Sequence, residues 1–139
     1  MAITQGMTLS FKVEEKQAIH DFTTDVFKMA LYNSSATLGA ATTAYSATNE
    51  VVATGYTAGG KAMAGGVVTL DGTTAIVDFN DVVWPASTIT ARGALIYNSS
   101  KANRAVAVID FQADKASTAE AFTVYMPVPA AGTALIRSN

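Results

Sequence analysis

Val67-Val68-Thr69-Leu70-Asp71-Gly72-Thr73-Thr74-Ala75-Ile76-Val77-Asp78-Phe79 reads as a β-hairpin. Two runs of alternating apolar and polar residues flank Asp71-Gly72. Asp-Gly is favoured in tight primed turns because these need positive φ. A turn on those two residues sets Leu70 opposite Thr73 and Val68 opposite Ala75. Val68, Leu70, Ala75, Val77 and Phe79 then share one face, which is assigned to a core. Val67, Thr69, Thr74, Ile76 and Asp78 share the other. That second face is half apolar, so it calls for a cover, either another segment or a partner.

Period-two alternation continues on both sides of the hairpin. Leu9, Phe11 and Val13 alternate with Ser10 and Lys12 in a first strand. Phe27, Met29 and Leu31 mark a second. Residues 14–22 leave room for one helical turn carrying Ile19 and Phe22 on one face. Residues 49–54, 88–97, 104–111, 121–126 and 133–137 supply more strands. In 88–97, Ile89, Ala91, Gly93, Leu95 and Tyr97 share a face, with Arg92 on the other. In 121–126, Phe122, Val124 and Met126 face the core. Pro127 and Pro129 lack a ladder donor and end that strand. Eight or nine strands with frequent turn residues predict an all-β sandwich or barrel, in a single domain spanning 1–139.

Two phrases occur twice. Ala30-Leu31-Tyr32-Asn33-Ser34-Ser35 is echoed by Leu95-Ile96-Tyr97-Asn98-Ser99-Ser100, and Ile76-Val77-Asp78-Phe79 by Val108-Ile109-Asp110-Phe111. Their spacing is irregular, so they read as one strand ending used twice and not as a solenoid repeat. Both Asn-Ser-Ser triplets read as turns.

Composition narrows the chemistry. Half of the 139 residues are hydrophobic and 14% are charged, with one histidine, no cysteine and a net charge of −2. Thiolate chemistry and disulfides are therefore excluded, and a lone histidine lacks the partners of a zinc site. No basic stripe is present to follow a phosphate backbone, so nucleic acid is not an expected partner. No stretch approaches the ~20 apolar residues of a membrane-spanning helix. The first six residues have neither the basic nor the apolar part of a secretory signal, so synthesis in a cytoplasm is expected.

Four motifs invite chemistry and are weighed against plainer readings. Gly55-Tyr56-Thr57-Ala58-Gly59-Gly60-Lys61-Ala62 matches a phosphate loop up to the lysine. Ala62 stands where Ser or Thr would hold magnesium, and Gly65-Gly66 interrupts the helix that should follow. It reads as a flexible loop between strands. His20 beside Asp21 is a fragment of a triad without a nucleophile elbow, and reads as a turn or interface residue. Asp78 and Asp110 could form a glycosidase pair, but both precede strand-end phenylalanines and read as solvent-facing. Trp84-Pro85, with Tyr32, Tyr45, Tyr56, Tyr97 and Tyr125, raises a glycan-stacking platform. The strand tyrosines suit core edges or interfaces better, and Trp84 suits a buried anchor.

A longer run of words then aligns with a known group of proteins. Phe27-Lys28-Met29-Ala30-Leu31-Tyr32, Ala36-Thr37-Leu38, Thr42-Thr43-Ala44-Tyr45, Asn49-Glu50-Val51, Gly55-Tyr56-Thr57-Ala58-Gly59-Gly60, Ile89-Thr90-Ala91-Arg92-Gly93-Ala94-Leu95-Ile96-Tyr97-Asn98 and Ala105-Val106-Ala107-Val108-Ile109-Asp110-Phe111 follow in that order. In this the chain resembles small structural proteins of tailed bacteriophages, most of all the capsid cement (decoration) proteins. The resemblance implies a jelly-roll-like β-sandwich, with an immunoglobulin-like strand order as the alternative. It implies a homodimer or homotrimer on the virion exterior that binds the major capsid protein and bridges capsomers. No enzymatic activity and no cofactor are expected. A tail or fibre component that binds glycan is the alternative function.

Three contact regions follow from that expectation. Residues 1–8, with Met1, Ile3 and Met7, form an apolar arm without evident anchorage. The Gly-rich loop 55–66, with Tyr56, Lys61 and Met63, could adapt to a curved shell. Residues 127–131, with Pro127, Val128 and Pro129, form a stiff edge. Trp84 completes the set of candidate interface residues.

Overall fold

The computed structural model describes residues 2–138. It is an all-β, antiparallel sandwich with one short helix, in the element order β1 (Gly6–Met7), α1 (Leu9–Lys16), β2 (Phe27–Tyr32), β3 (Lys61–Ala62), β4 (Val67–Asp71), β5 (Thr74–Asp78), β6 (Val82–Ser87), β7 (Thr90–Asn98), β8 (Arg104–Ala116), β9 (Glu120–Val124) and β10 (Ile136–Ser138). A five-stranded sheet runs β1-β8-β7-β2-β3. It is opposed by a three-stranded sheet β10-β5-β4 and a two-stranded sheet β6-β9.

The central strands β2, β7 and β8 are buried on both faces, which is why their sequences read as nearly continuous apolar runs. Met29 and Leu31 of β2 face the main core with Ala94 and Ile96 of β7, Phe11 of α1, Val77 of β5, Trp84 of β6 and Phe122 of β9. Ala30 and Tyr32 turn the other way, into a smaller core with Leu95, Tyr97, Val108 and Leu38. Loop 33–49 and the N-terminal segment cover that second core, with Ile3 packed against it.

Alternation slips along this slab. Ala91 and Ala94 lie in the same core, beside an irregular stretch of β7–β8 pairing between Ala91 and Gly93. The single face expected for Ile89, Ala91, Gly93, Leu95 and Tyr97 is thereby split, with Ile89 and Ala91 in the main core and Leu95 and Tyr97 in the smaller one. A second irregularity, between Ile96 and Tyr97, turns both Val106 and Ala107 of β8 to the main core. Such bulges re-aim side chains where a strand must serve two surroundings.

The first expected strand is instead a helix. Thr8 caps α1, its Oγ1 accepting the Phe11 N–H at 3.2 Å, and Phe11 and Glu14 are the buried residues of the helix. They stand three apart, on one helical face. Residues 49–54 form no strand but touch the sheets through single bridges, Glu50 to Tyr32 and Thr54 to Thr88. Trp84-Pro85 lies within β6, where the pairing with β9 is irregular between Trp84 and Ser87. A proline is tolerated at such a bulge because no ladder bond is required of it.

The two Asn-Ser-Ser turns share one geometry. Asn33 Oδ1 accepts the Ser35 N–H at 2.9 Å, and Asn98 Oδ1 accepts the Ser100 N–H at 3.0 Å. Each asparagine ends or follows a strand and folds its side chain onto the turn behind it.

Candidate functional site

Two polar clusters gather the buried ionisable groups. In the first, Glu50 is 7% exposed and accepts hydrogen bonds from Tyr45 Oη at 2.6 Å, Tyr56 Oη at 2.5 Å and the Gly59 N–H at 2.8 Å. Tyr56 Oη also accepts the Leu31 N–H, and Tyr97 Oη donates to the Gly59 carbonyl. Burial, and then Glu50, raise the hydroxyls of Tyr45 (to about 12) and Tyr56. All stay protonated and serve as donors. No lysine or arginine pairs with Glu50 among the described residues.

This cluster is a clamp. It fastens the Gly-rich loop to β2, where a Cβ on Gly60 (φ +80°) would lie 1.9 Å from the Met29 carbonyl oxygen. Only glycine permits that approach. The loop is therefore held and not free, and Lys61, followed by strand and not helix, donates to the Val83 carbonyl.

In the second cluster the His20 side chain is fully buried beside Glu14. The Asn98 amide donates to Asp25 Oδ2 at 2.8 Å and to His20 Nδ1 at 3.0 Å. That assignment leaves the other ring nitrogen, Nε2, to donate to Glu14 Oε1 at 2.9 Å. Arg104 and Lys101 complete the charges on Glu14 and Asp25. Burial works to raise the Glu14 carboxyl, but the bonds from His20 and Arg104 outweigh it and hold it below its usual value. For Asp25, burial is likewise outweighed, by Lys101 and Asn98, and its pKa falls to about 2. A nucleophile would have to stand where Asn98 stands, so the histidine orients structure and not substrate.

No group of three or more metal-ligating side chains occurs among the described residues. A cavity of about 680 Å³ beside loop 33–49 is lined by Ala, Thr, Ser and a few others, with no Asp, Glu, Lys, Arg or His. Asp78 and Asp110 lie in different sheets. Among the described residues, no helix is long and apolar enough to cross a membrane.

The surface is more informative. Every residue of β4 is exposed, with Val67 at 55%, Val68 at 52% and Leu70 at 70%. β4 is also the edge of its sheet. This corrects the expectation that Val68 and Leu70 face the core. Of the hairpin, Ala75 is half-buried, Val77 and Phe79 are buried, and the deepest residue is Ile76, at 2%. The register differs as well. Asp71 pairs with Thr74 and Leu70 with Ala75, so the turn residues are Gly72 and Thr73. Gly72 takes φ +62°, and Thr73 does not share the positive sign, as in a turn with glycine at its first central position.

The expected interface residues scatter. Met1 lies outside the described residues. Ile3 and Met7 are not free. Ile3 bridges Leu38, and Met7 pairs with Ala107 of β8, so residues 2–8 are anchored on this chain's own sheet. Tyr56 and Met63 are partly buried against the main core, and Trp84 lies inside it, 4% exposed, between Tyr56 and Phe122. Pro127 is half-buried, while Val128 (65%) and Pro129 are exposed. The Ala131 N–H donates to Asp71 Oδ2 at 2.7 Å, which ties segment 127–131 to the end of β4.

Val68 and Leu70 are thus the surface residues that alternation assigns wrongly to the core, while Val67 and Thr69 lie exposed on the face that calls for a cover. A glycan-stacking platform has little to stand on, because Tyr125 is the one exposed aromatic among the described residues. No protein-family model matches the chain, and neither a curated protein nor a solved structure is similar to it.

Proposed function

We propose that this chain is a structural protein of a bacteriophage virion, a capsid cement that binds the major capsid protein on the outer shell and bridges capsomers. In this reading the sandwich is jelly-roll-like, the protein has no enzymatic activity, and it acts as a small homo-oligomer. The single observation that carries the reading is the apolar edge formed by β4 and the adjoining Val128 and Pro129, on a body whose buried carboxylates Glu14 and Glu50 are locked into internal hydrogen bonds. Exposed apolar area of that kind marks a contact surface. Many copies on one shell would make weak contacts effective together.

The test is decoration of empty shells by purified protein, followed by electron microscopy. Val128→Asp with Pro129→Asp is expected to lower occupancy while the protein stays folded by circular dichroism. Failure of the wild-type protein to bind shells of the phage that encodes it refutes the reading.

A further inference from the structure

We propose that β4 is a self-association edge, pairing antiparallel with β4 of a second copy across a two-fold axis at Thr69. The inference rests on the structural reading above and names a second copy as the partner of that edge.

Most other edges of the fold carry the devices that discourage strand addition. β3 has two residues, one of them Lys61. β10 has three, with Arg137 at its centre. β1 has two residues, and the part of β8 left uncovered beyond it carries Asp110, Asp114 and Lys115 and is distorted at Gln112 (φ +67°). β6 carries Pro85 and a bulge. β9 has no such device, but its large apolar residues Phe122 and Val124 are turned into the core, so it offers no exposed apolar pair to a partner strand. β4 has none of these. Its only charge is Asp71, at the end, and it is the only described strand longer than two residues with every residue exposed.

Hydrogen-bond parity supplies the register. Asp71 and Thr74 close the two-residue turn as a hydrogen-bonded pair, so Thr69–Ile76 and Val67–Asp78 are hydrogen-bonded pairs too. Val68 and Leu70 lie between them and direct their N–H and C=O groups away from β5. An axis at Thr69 sets Val68 of each copy opposite Leu70 of the other, so both residues find partners within β4 itself. The same pairing joins four apolar side chains on one face. Thr69 meets its own copy in a close, non-hydrogen-bonded position, a favourable Thr–Thr contact. The two Asp71 carboxylates stand at opposite ends. Each copy supplies both halves of the pairing, which a strand of unrelated sequence would match only by chance. Pairing about a two-fold axis is isologous and uses up this edge in both copies, so it closes at a dimer and builds no fibre through β4. A five-residue edge falls short of the roughly 1,000 Å² of a stable interface, so the free dimer is weak and gains strength on a shell.

The absence of cysteine makes the test direct. In Thr69→Cys the paired Cα atoms would stand about 4.5 Å apart, within disulfide reach. In Val67→Cys or Asp71→Cys the equivalent atoms are offset by four residues, roughly 14 Å. Mild oxidation of each purified variant, read on non-reducing gels, is expected to give roughly tenfold more covalent dimer for Thr69→Cys than for the others. Adding Leu70→Lys to Thr69→Cys is expected to suppress it. All four positions are on exposed strand, and a thermal melt checks that each variant is folded. Equal cross-linking at the three positions, none at Thr69, or a trimer by sedimentation equilibrium overturns the proposal. Because this uses isolated protein, its failure leaves shell decoration intact. Failure to decorate, in turn, leaves a Thr69 cross-link standing.

Discussion

β4 (Val67-Val68-Thr69-Leu70-Asp71) and β5 (Thr74-Ala75-Ile76-Val77-Asp78) are the two arms of one hairpin, alike in composition, and they meet opposite surroundings. Ile76 of β5 is 2% exposed, whereas Leu70 of β4 is 70% exposed. The difference lies in what stands beyond each strand. β5 is paired on one side with β10 and on the other with β4, while β4 has only β5. Alternation specifies a ribbon, and neighbours far off in sequence decide which ribbon is buried. Folding free energy therefore collects in one arm, and the other arm retains apolar area for association.

The strongest challenge to that contrast is truncation in the buried arm. Ile76→Ala is expected to lower stability by about 2–5 kcal/mol, measured from the midpoint of urea unfolding. A loss under about 1 kcal/mol would erase the distinction between the arms. The next largest effect tests whether the buried polar clamp behaves like the buried arm. Glu50→Gln replaces one acceptor oxygen by a donor facing Tyr45 or Tyr56, and is expected to cost about 1–3 kcal/mol. Hydrogen exchange should rise first at Gly59 and Gly60.

A smaller effect is a pH dependence at the second cluster. The Asp25 pKa is lowered from 3.8 to about 2 in the folded chain. A depressed carboxyl contributes stability above its unfolded value and loses it as pH falls through the folded value. The melting temperature should therefore drop between about pH 4 and pH 2, and Asp25→Asn should shallow that slope. The smallest effect belongs to the exposed arm. Leu70→Ala should change stability by no more than about 0.5 kcal/mol, so urea midpoints of Leu70→Ala and Ile76→Ala give the contrast directly.

Much of the fold was legible because its signals are local. β2, β5, β7, β8 and β9 fall where alternation and turn residues put them, and Asp71-Gly72 marks the hairpin to within one residue. The turn itself slides one position, because Gly72 suffices for the positive φ and Asp71 stays in the ladder. α1 was hidden because Leu9, Phe11 and Val13 fit a period of two over so short a span. The structure buries Phe11 and Glu14 and leaves Leu9 and Val13 exposed, at 57% and 58%. The charged Glu14-Glu15-Lys16 end and the Thr8 cap were the available clues. β6 was hidden by Pro85, which removes a donor only where a bulge had already released it. The surface was least legible. Exposure of Val68 and Leu70 depends on packing between segments distant in sequence, which no local pattern reports. Glu50 was likewise unforeseen, since Tyr45, Tyr56 and Gly59 converge on it only through the folded loop.

The slab of β2, β7 and β8 has one more consequence. Away from the bulges, neighbouring residues belong to opposite compartments, as Leu31 and Tyr32 do in β2 and Leu95 and Ile96 in β7. A slip of one residue would exchange the occupants of both compartments at once. The ladder is in effect a lock with two rows of pins, both of which must align before it turns, and neither compartment can melt while the other holds its shape.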